Sequence, residues 1–244
     1  SISAWEAGRE GNLVTRNAIE RGLPYYDGAA DTTAVTINGW TTDATHYIEI
    51  YVPLSERHRG VWDNNRYRLE ISDGNNVINI AVNNIIIDGL QIKQLYSNNG
   101  IFSNGPYAGS GQVIKNNIIW GVATWTLAKS GIGWFGTASD VAIYNNIIYG
   151  FTYAGSYGID VTQYPQSITP YTYNNTVYGN ANGILADSDA YLSNNLSFNN
   201  TTADFSGTPK SGSDYNISKD ATAPGTWSAS NGRNKTAAQV SFKN

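Results

Sequence analysis

The chain has 244 residues, contains no cysteine and no methionine, and has only 14% charged residues. Without cysteine it can form neither a disulfide framework nor a thiolate metal site. The net charge is −4, and the sequence lacks the basic patch or stripe that a nucleic-acid-binding protein needs. The longest purely aliphatic run covers residues 85–87, far fewer than a membrane-spanning helix requires. We therefore expect neither a nucleic-acid partner nor insertion into a membrane.

The chain does contain a repeated motif of two asparagines followed by aliphatic residues and a glycine. It reads VNNIIIDG at 82–89, KNNIIWG at 115–121, YNNIIYG at 144–150 and YNNTVYG at 173–179. A Gly-Ile pair follows each of these motifs, and its isoleucines are Ile101, Ile132, Ile159 and Ile184. Each repeat thus holds two short β-branched segments bounded by Gly and Asn, which is typical of strands. Repeats of about 20 to 30 residues built in this way predict a solenoid of stacked coils.

The asparagine pairs have a physical reason in such a stack. Equivalent residues of successive coils lie about 4.8 Å apart, so side-chain amides can hydrogen-bond along the stack. We predict a structural ladder from the second asparagine of each pair: Asn84, Asn117, Asn146, Asn175 and Asn195. Binding of a ligand or metal by the pairs is the alternative.

Segments of this repeat resemble a known family. NNIIYG, NNTVYGNANGI and NNLSFNN look like coils of right-handed parallel β-helix proteins, the pectin-lyase-like superfamily, over about residues 75–220. The opening SISAWEAGREGNLV resembles the N-terminal region of bacterial and phage β-helix proteins, in which a short helix covers the first coil. The resemblance implies an all-β fold, a right-handed parallel β-helix solenoid with a short N-terminal capping helix.

The sequence divides into three regions. Residues 1–34 are predicted to form an N-terminal cap of a short helix and loop, in which Ser3 is the N-cap and Glu6 completes a capping box. Residues 35–220 are predicted to form the coils, beginning with strands at 35–40, 47–52 and 67–71. Residues 221–244 are predicted to be an irregular tail with a last short strand at 239–242 and no obvious polar cap after it.

Two acids are candidates for catalysis. If Ile159 and Ile184 point inward, strand alternation turns the polar residues near them outward, and Asp160 and Asp187 then share one face in adjacent coils. A glycosidase needs two carboxylates at a defined separation, so this pair is the catalytic candidate; solvated loop acids are the alternative. Enzymes of the resembled superfamily use basic groups beside their acids, yet residues 81–200 contain no arginine. The sequence therefore leaves catalysis open and favours a protein that is not an enzyme.

Two further groups are binding candidates. Aromatic residues crowd the middle coils and could form a sugar-stacking platform, with core packing as the alternative: Trp125, Trp134, Phe135, Tyr153, Tyr157 and Tyr164. Basic residues in the loop SERHRG could bind an anion, with local ion pairs as the alternative: Arg57, His58 and Arg59. The two histidines lack the spacing of a metal pair, so we predict no metal site and no cofactor.

Two functions follow from these observations. The first is a structural protein, extracellular or on a cell or virion surface, that assembles end to end with other copies into filaments, because the catalytic column and a C-terminal cap are missing. The alternative is a secreted protein that binds or degrades a polysaccharide along its aromatic face.

Overall fold

The computed structural model describes residues 1–96, 98–105, 111–122, 127–136, 141–162 and 169–225. These residues form two short helices, α1 (Ile2–Arg9) and α2 (Leu13–Arg16). They also form the strands β1 (Glu20–Gly22), β2 (Val35–Ile37), β3 (Ile48–Tyr51), β4 (Leu69–Ile71), β5 (Ile78–Ile80), β6 (Ile85–Asp88), β7 (Gln91–Gln94), β8 (Ile101–Gly105), β9 (Gln112–Lys115), β10 (Ile118–Gly121), β11 (Ser130–Gly136), β12 (Val141–Tyr144), β13 (Ile147–Tyr149), β14 (Tyr157–Val161), β15 (Tyr171–Tyr173), β16 (Thr176–Tyr178), β17 (Asn182–Ala186), β18 (Tyr191–Ser193), β19 (Leu196–Phe198) and β20 (Ala203–Gly207). No helix in this part of the chain is long and apolar enough to cross a membrane.

The strands form three parallel sheets. The first sheet has the order β1-β3-β6-β9-β12-β15-β18, the second β4-β7-β10-β13-β16-β19, and the third β2-β5-β8-β11-β14-β17-β20. Each strand pairs with its equivalent in the next coil, as when Ile118 lies opposite Ile147 and Ile147 opposite Thr176. The predicted all-β parallel solenoid with a helix near its N-terminus is thereby confirmed.

The core is a stack of aliphatic columns. The four isoleucines of the Gly-Ile pairs are opposite one another in the third sheet and have no solvent exposure. Burying one such side chain contributes roughly 1.5–3 kcal/mol. Strands of three to seven residues are too short to be stable alone, so the columns hold the coils together.

In the pairs at 116–117, 145–146, 174–175 and 194–195 the two asparagines have different roles. The first adopts the left-handed backbone region that Asn tolerates, with φ near 56° at Asn145 and Asn174, and turns the chain from the first sheet into the second. The second is buried and bonds along the stack. Its Nδ2 donates to Oδ1 of the next coil at 3.0 Å, in the unbroken order Asn117, Asn146, Asn175, Asn195 and Asn216.

Asn84 does not belong to this ladder, contrary to the prediction. It lies before β6, at the corner that enters the first sheet, and its Nδ2 contacts Thr42 Oγ1 at 3.4 Å. The position equivalent to Asn117 is held by Leu90, whose N–H donates to Asn117 Oδ1 at 2.9 Å. The same sequence motif therefore marks two different corners of the coil.

The N-terminal cap differs in detail from the expectation. Ser1, not Ser3, is the N-cap of α1, because Ser1 Oγ accepts from the N–H of Ala4 at 3.1 Å. Glu6 does not reach back to the cap; it is buried against the first coil, where it accepts from Asn38 N at 2.8 Å and Trp40 Nε1 at 2.7 Å. These two hydrogen bonds hold α1 against the first coil. Within the predicted cap, β1 also pairs with β3 in the first sheet.

The outer edge of β20, the last strand of the third sheet, is hydrogen-bonded to residues that follow it in the chain. The N–H of Asp204 donates to Asp220 Oδ2 at 2.8 Å, and the N–H of Phe205 donates to Thr222 Oγ1 at 2.9 Å. In return, Asp204 Oδ2 accepts from Lys219 N at 2.7 Å. Residues 219–222 thus cover this edge with polar contacts. The strand predicted at 239–242 lies outside the described residues.

Candidate functional site

The outer surface of the third sheet carries the predicted acid column. Asp160 lies opposite Gly133 in one neighbouring strand and opposite Leu185 in the other, and Gly133 lies opposite Phe102. Asp187 directly follows β17, the strand that pairs with the strand of Asp160. Strand alternation thus places Asp160 outward while the isoleucine before it is in the core.

Beside Asp160 the surface is concave. A cleft of about 440 Å³ runs across several coils and is lined by Asn76, Asn98, Asn99, Phe102, Ala128, Lys129, Ser130, Phe135, Gly155, Tyr157 and Asp160. Two of its rings, Phe102 and Phe135, have centroids 5.7 Å apart. Gly133 lies between them, and a Cβ there would be 3.2 Å from Phe102 Cδ2 and 3.3 Å from Phe135 Cε2. The glycine therefore leaves room for both rings on the floor of the cleft.

Asp160 has an unusual environment for a carboxyl group. Its side chain is buried, and Oδ1 accepts from Thr162 N at 3.2 Å and Thr162 Oγ1 at 2.8 Å. Burial raises the pKa of this carboxyl above 3.8; the Thr162 hydrogen bonds oppose this, and the charge of Asp187 raises the pKa further. Asp187 lies near Asp160 because it directly follows β17, the strand that pairs with the strand of Asp160. Both of the Thr162 hydrogen bonds go to Oδ1 of Asp160.

Replacing Asp160 with asparagine is expected to raise the free energy of unfolding at pH 7 by about 1 kcal/mol. The pKa of Asp160 is higher in the folded state than in the unfolded state, so its ionised form destabilises the fold. This destabilisation is complete at pH values above the folded-state pKa and is absent at pH values below the unfolded-state pKa. The gain should therefore disappear near pH 3, as urea unfolding at both pH values would reveal.

Asp43→Asn is the matched control for that experiment. A hydrogen bond from His46, followed by one from the Thr45 N–H, lowers the pKa of Asp43, so its ionised form stabilises the fold. Asp43→Asn should therefore destabilise the chain at pH 7, the opposite sign. A loss of stability in Asp160→Asn at pH 7 would contradict the account of Asp160.

The predicted aromatic residues occupy different places. Phe135 and Tyr157 line the cleft, whereas Tyr153 is 40% exposed and does not line it. Trp134 is fully buried in the core and donates from Nε1 to Gln112 Oε1 at 2.9 Å, so it cannot stack on a ligand. Trp125 and Tyr164 lie outside the described residues.

The predicted anion site is already engaged by the protein itself. Arg57 Nη1 is 2.9 Å from Asp88 Oδ1, and its Nε and Nη2 donate to the carbonyl oxygen of Val52. His58 Nε2 is 2.7 Å from the carbonyl oxygen of Asn116, and burial lowers the pKa of this imidazole. Arg57 and His58 therefore hold their loop against the coils instead of offering charge to an anion. Arg59 is exposed on the same loop.

A stack of aromatic rings on the outer face of the second sheet was not predicted as a unit. Trp120 and Tyr149 have centroids 5.7 Å apart, and Tyr149 and Tyr178 5.2 Å apart. Lys93 Nζ lies 4.0 Å from the centroid of Trp120. Burial raises the pKa of Tyr149 to about 12, with a further contribution from Tyr178. The sequence signal for this stack is the aromatic residue that precedes the glycine in three of the four repeats. Because these rings stack on one another, they leave mainly edges for solvent.

Neither a set of metal ligands nor a related protein indicates what the cleft binds. Across the described ranges no group of three or more histidine or acidic side chains is placed to hold a metal ion. No family model, no curated protein and no solved structure matches the chain. The function is therefore inferred from the chemistry of the cleft.

Proposed function

We propose that this chain is a rigid, surface-exposed or secreted β-solenoid that binds a polysaccharide in the cleft of the third sheet. The observation that carries the proposal is the floor of the cleft, where Phe102 and Phe135 flank Gly133 beside the carboxyl group of Asp160. Sugars present apolar faces that pack on aromatic rings and hydroxyl groups that bond to carboxylates and amides. Ligand sites commonly combine such an apolar surface with a few fixed polar groups.

Two asparagines that line the cleft, Asn98 and Asn99, offer side-chain amides to a ligand. Asn99 donates from Nδ2 to Asn76 Oδ1 at 2.9 Å, and its own Oδ1 accepts from Ser130 N at 2.8 Å. Asn98 is also tied down, since its Nδ2 donates to the carbonyl oxygen of Gly74 at 2.9 Å. Fixed amides lose little conformational entropy when they bind a ligand, which favours recognition of hydroxyl groups.

The direction of the cleft favours a chain molecule. Phe102, Phe135 and Asp160 come from the three consecutive strands β8, β11 and β14. With about 4.8 Å between strands, their residues cover roughly 10 Å along the solenoid axis. An extended saccharide can follow this axis. The resemblance of the coils to the pectin-lyase-like superfamily supports the same proposal, and we propose membership of that superfamily with it.

End-to-end assembly is less well supported than saccharide binding. It needs free strand edges at the ends of the solenoid. At β20, however, the N–H groups of Asp204 and Phe205 already bond to residues 220 and 222. A second copy would have to displace those contacts.

Hydrolysis of the bound saccharide is the second candidate function. A carboxyl group with a raised pKa beside a second carboxylate is the arrangement that glycosidases use for a general acid and its partner. Asp160 would then be the acid and Asp187 the carboxylate. Release of reducing ends from any glycan that binds would separate hydrolysis from binding alone.

Phe135→Ala is expected to weaken saccharide binding about tenfold, the equivalent of about 1.4 kcal/mol, because the floor of the cleft loses one ring. A glycan array identifies the ligand, and calorimetry with that glycan measures the change. Tyr171→Ala is the control, since Tyr171 is 43% exposed on the first sheet, away from the cleft. Equal losses in both variants, or no glycan bound by the unaltered chain, would reject the proposal.

A further inference from the structure

The coils that form the cleft are poor in basic residues. Between residues 94 and 209 the sequence has no arginine and no histidine, and its only lysines are Lys115 and Lys129. Lys115 belongs to the first sheet, where its Nζ is 3.6 Å from Asp88. Lys129 is thus the one basic side chain among the described residues that line the cleft.

Among the described residues, the lining of the cleft includes one lysine and one carboxylate, Asp160, and two further acids lie beyond the lining. Asp187 directly follows β17, the strand that pairs with the strand of Asp160, and the N–H of Asp189 donates to Asp187 Oδ1 at 3.2 Å. Asp160 is only 8% exposed, and both Thr162 hydrogen bonds go to its Oδ1. Oδ2 is therefore the atom to which we assign a donor group of the ligand.

This charge pattern discriminates between classes of polysaccharide. A polyuronate carries a carboxylate on every sugar, and the cleft offers it no arginine fork to offset repulsion from Asp160 and Asp187. A sugar with a free amino group presents an ammonium donor instead. Carboxylates form charge-assisted hydrogen bonds with ammonium groups, and the faces of Phe102 and Phe135 attract cations.

We infer that the cleft selects polysaccharides with free amino groups, of the glucosamine type, over both their N-acetylated forms and polyuronates. This inference rests on the proposed saccharide binding and assigns Asp160 and Asp187 to the ammonium group.

The test uses three hexasaccharides with the full chain: glucosamine, N-acetylglucosamine and galacturonate. Calorimetry should give a Kd about tenfold lower for the glucosamine hexamer than for the N-acetylglucosamine hexamer, since a charge-assisted hydrogen bond is about twice as strong as a neutral one. Raising the salt concentration should weaken only the glucosamine complex. The galacturonate hexamer should not bind.

Asp187→Asn should reduce the preference for glucosamine to nearly equal affinities for the two hexamers. Asp160→Asn should act in the same direction, and circular dichroism checks that each variant is folded. Asp43→Asn is the control, because Asp43 lies in an exposed turn before β3 and should leave the preference intact.

The outcomes separate the two proposals. Equal or tighter binding of the N-acetylated or galacturonate hexamer, or selection of another neutral glycan, overturns the amino-sugar inference and leaves saccharide binding standing. A glucosamine preference that persists in Asp187→Asn overturns the assignment to the acid pair. Failure of these hexamers and of every glycan on an array would overturn saccharide binding itself, and the inference with it.

Discussion

Replacing Asn146 with alanine should lower the free energy of unfolding by about 4 kcal/mol. Asn146 Oδ1 accepts from both the backbone N–H and Nδ2 of Asn117 at 3.0 Å. Its Nδ2 donates to the carbonyl oxygen of Ile114 and to Asn175 Oδ1, each at 3.0 Å. All three asparagine side chains are buried, so alanine leaves several polar groups without partners in a buried corner. Urea unfolding followed by circular dichroism measures the loss.

The neighbouring Asn145→Gly is the control for the ladder. Asn145 is exposed, has a φ of 56° and bonds by its side chain only to Asn116 Oδ1, at 3.3 Å, among the described residues. Glycine adopts this backbone conformation without strain, so the change should stay within about 0.5 kcal/mol. If both variants unfold at the same urea concentration, the buried amides do not stabilise the stack.

Gly131→Ala should destabilise the chain by about 3 kcal/mol, at the upper end of the usual cost of overpacking. A Cβ at Gly131 would collide with Ile148 Cγ2 and lie 2.7 Å from the carbonyl oxygen of Gly158. Gly131 comes from the third sheet and Ile148 from the second, so glycine is needed where the two sheets approach each other. A lower midpoint of thermal unfolding and a lower yield of soluble protein are the expected observations.

Gly8→Ala provides the opposite case. Gly8 lies inside α1, and apart from its chain neighbours and the backbone of the helix itself, no atom is within 4 Å of the position its Cβ would take. Alanine should therefore stabilise the helix by roughly 0.5–1 kcal/mol. A similar loss in Gly8→Ala and Gly131→Ala would mean that close approach of the sheets is not what Gly131 provides.

The sequence predicts the periodic parts of this fold well. The glycine of each Gly-Ile pair and the second asparagine of most pairs repeat because stacked coils place equivalent residues in the same surroundings. Asn84 was misplaced because an asparagine pair suits any corner that needs a left-handed residue, and the local pattern does not say which sheet follows. The N-cap was misplaced by two residues, since Ser1 and Ser3 are both competent caps.

The site was predictable only where strand alternation applies. Asp160 follows Ile159, so its outward position could be read directly from the sequence. Trp134 stands two residues after Ile132, and the same rule, had it been applied there, places its ring in the core. The pairing of Arg57 with Asp88 joins residues distant in sequence, and no local pattern encodes it.

The asparagine ladder also bears on how the protein can be made. Asn195 and Asn216 each begin an Asn-x-Ser sequence, the acceptor signal for N-linked glycans. Glycans are attached through Nδ2, and in the folded chain Nδ2 of Asn195 donates to Asn216 Oδ1 while Nδ2 of Asn216 donates to the carbonyl oxygen of Leu192. A glycan added before folding would occupy the atom that the core requires. We therefore expect that a glycan on either asparagine would prevent this part of the ladder from forming.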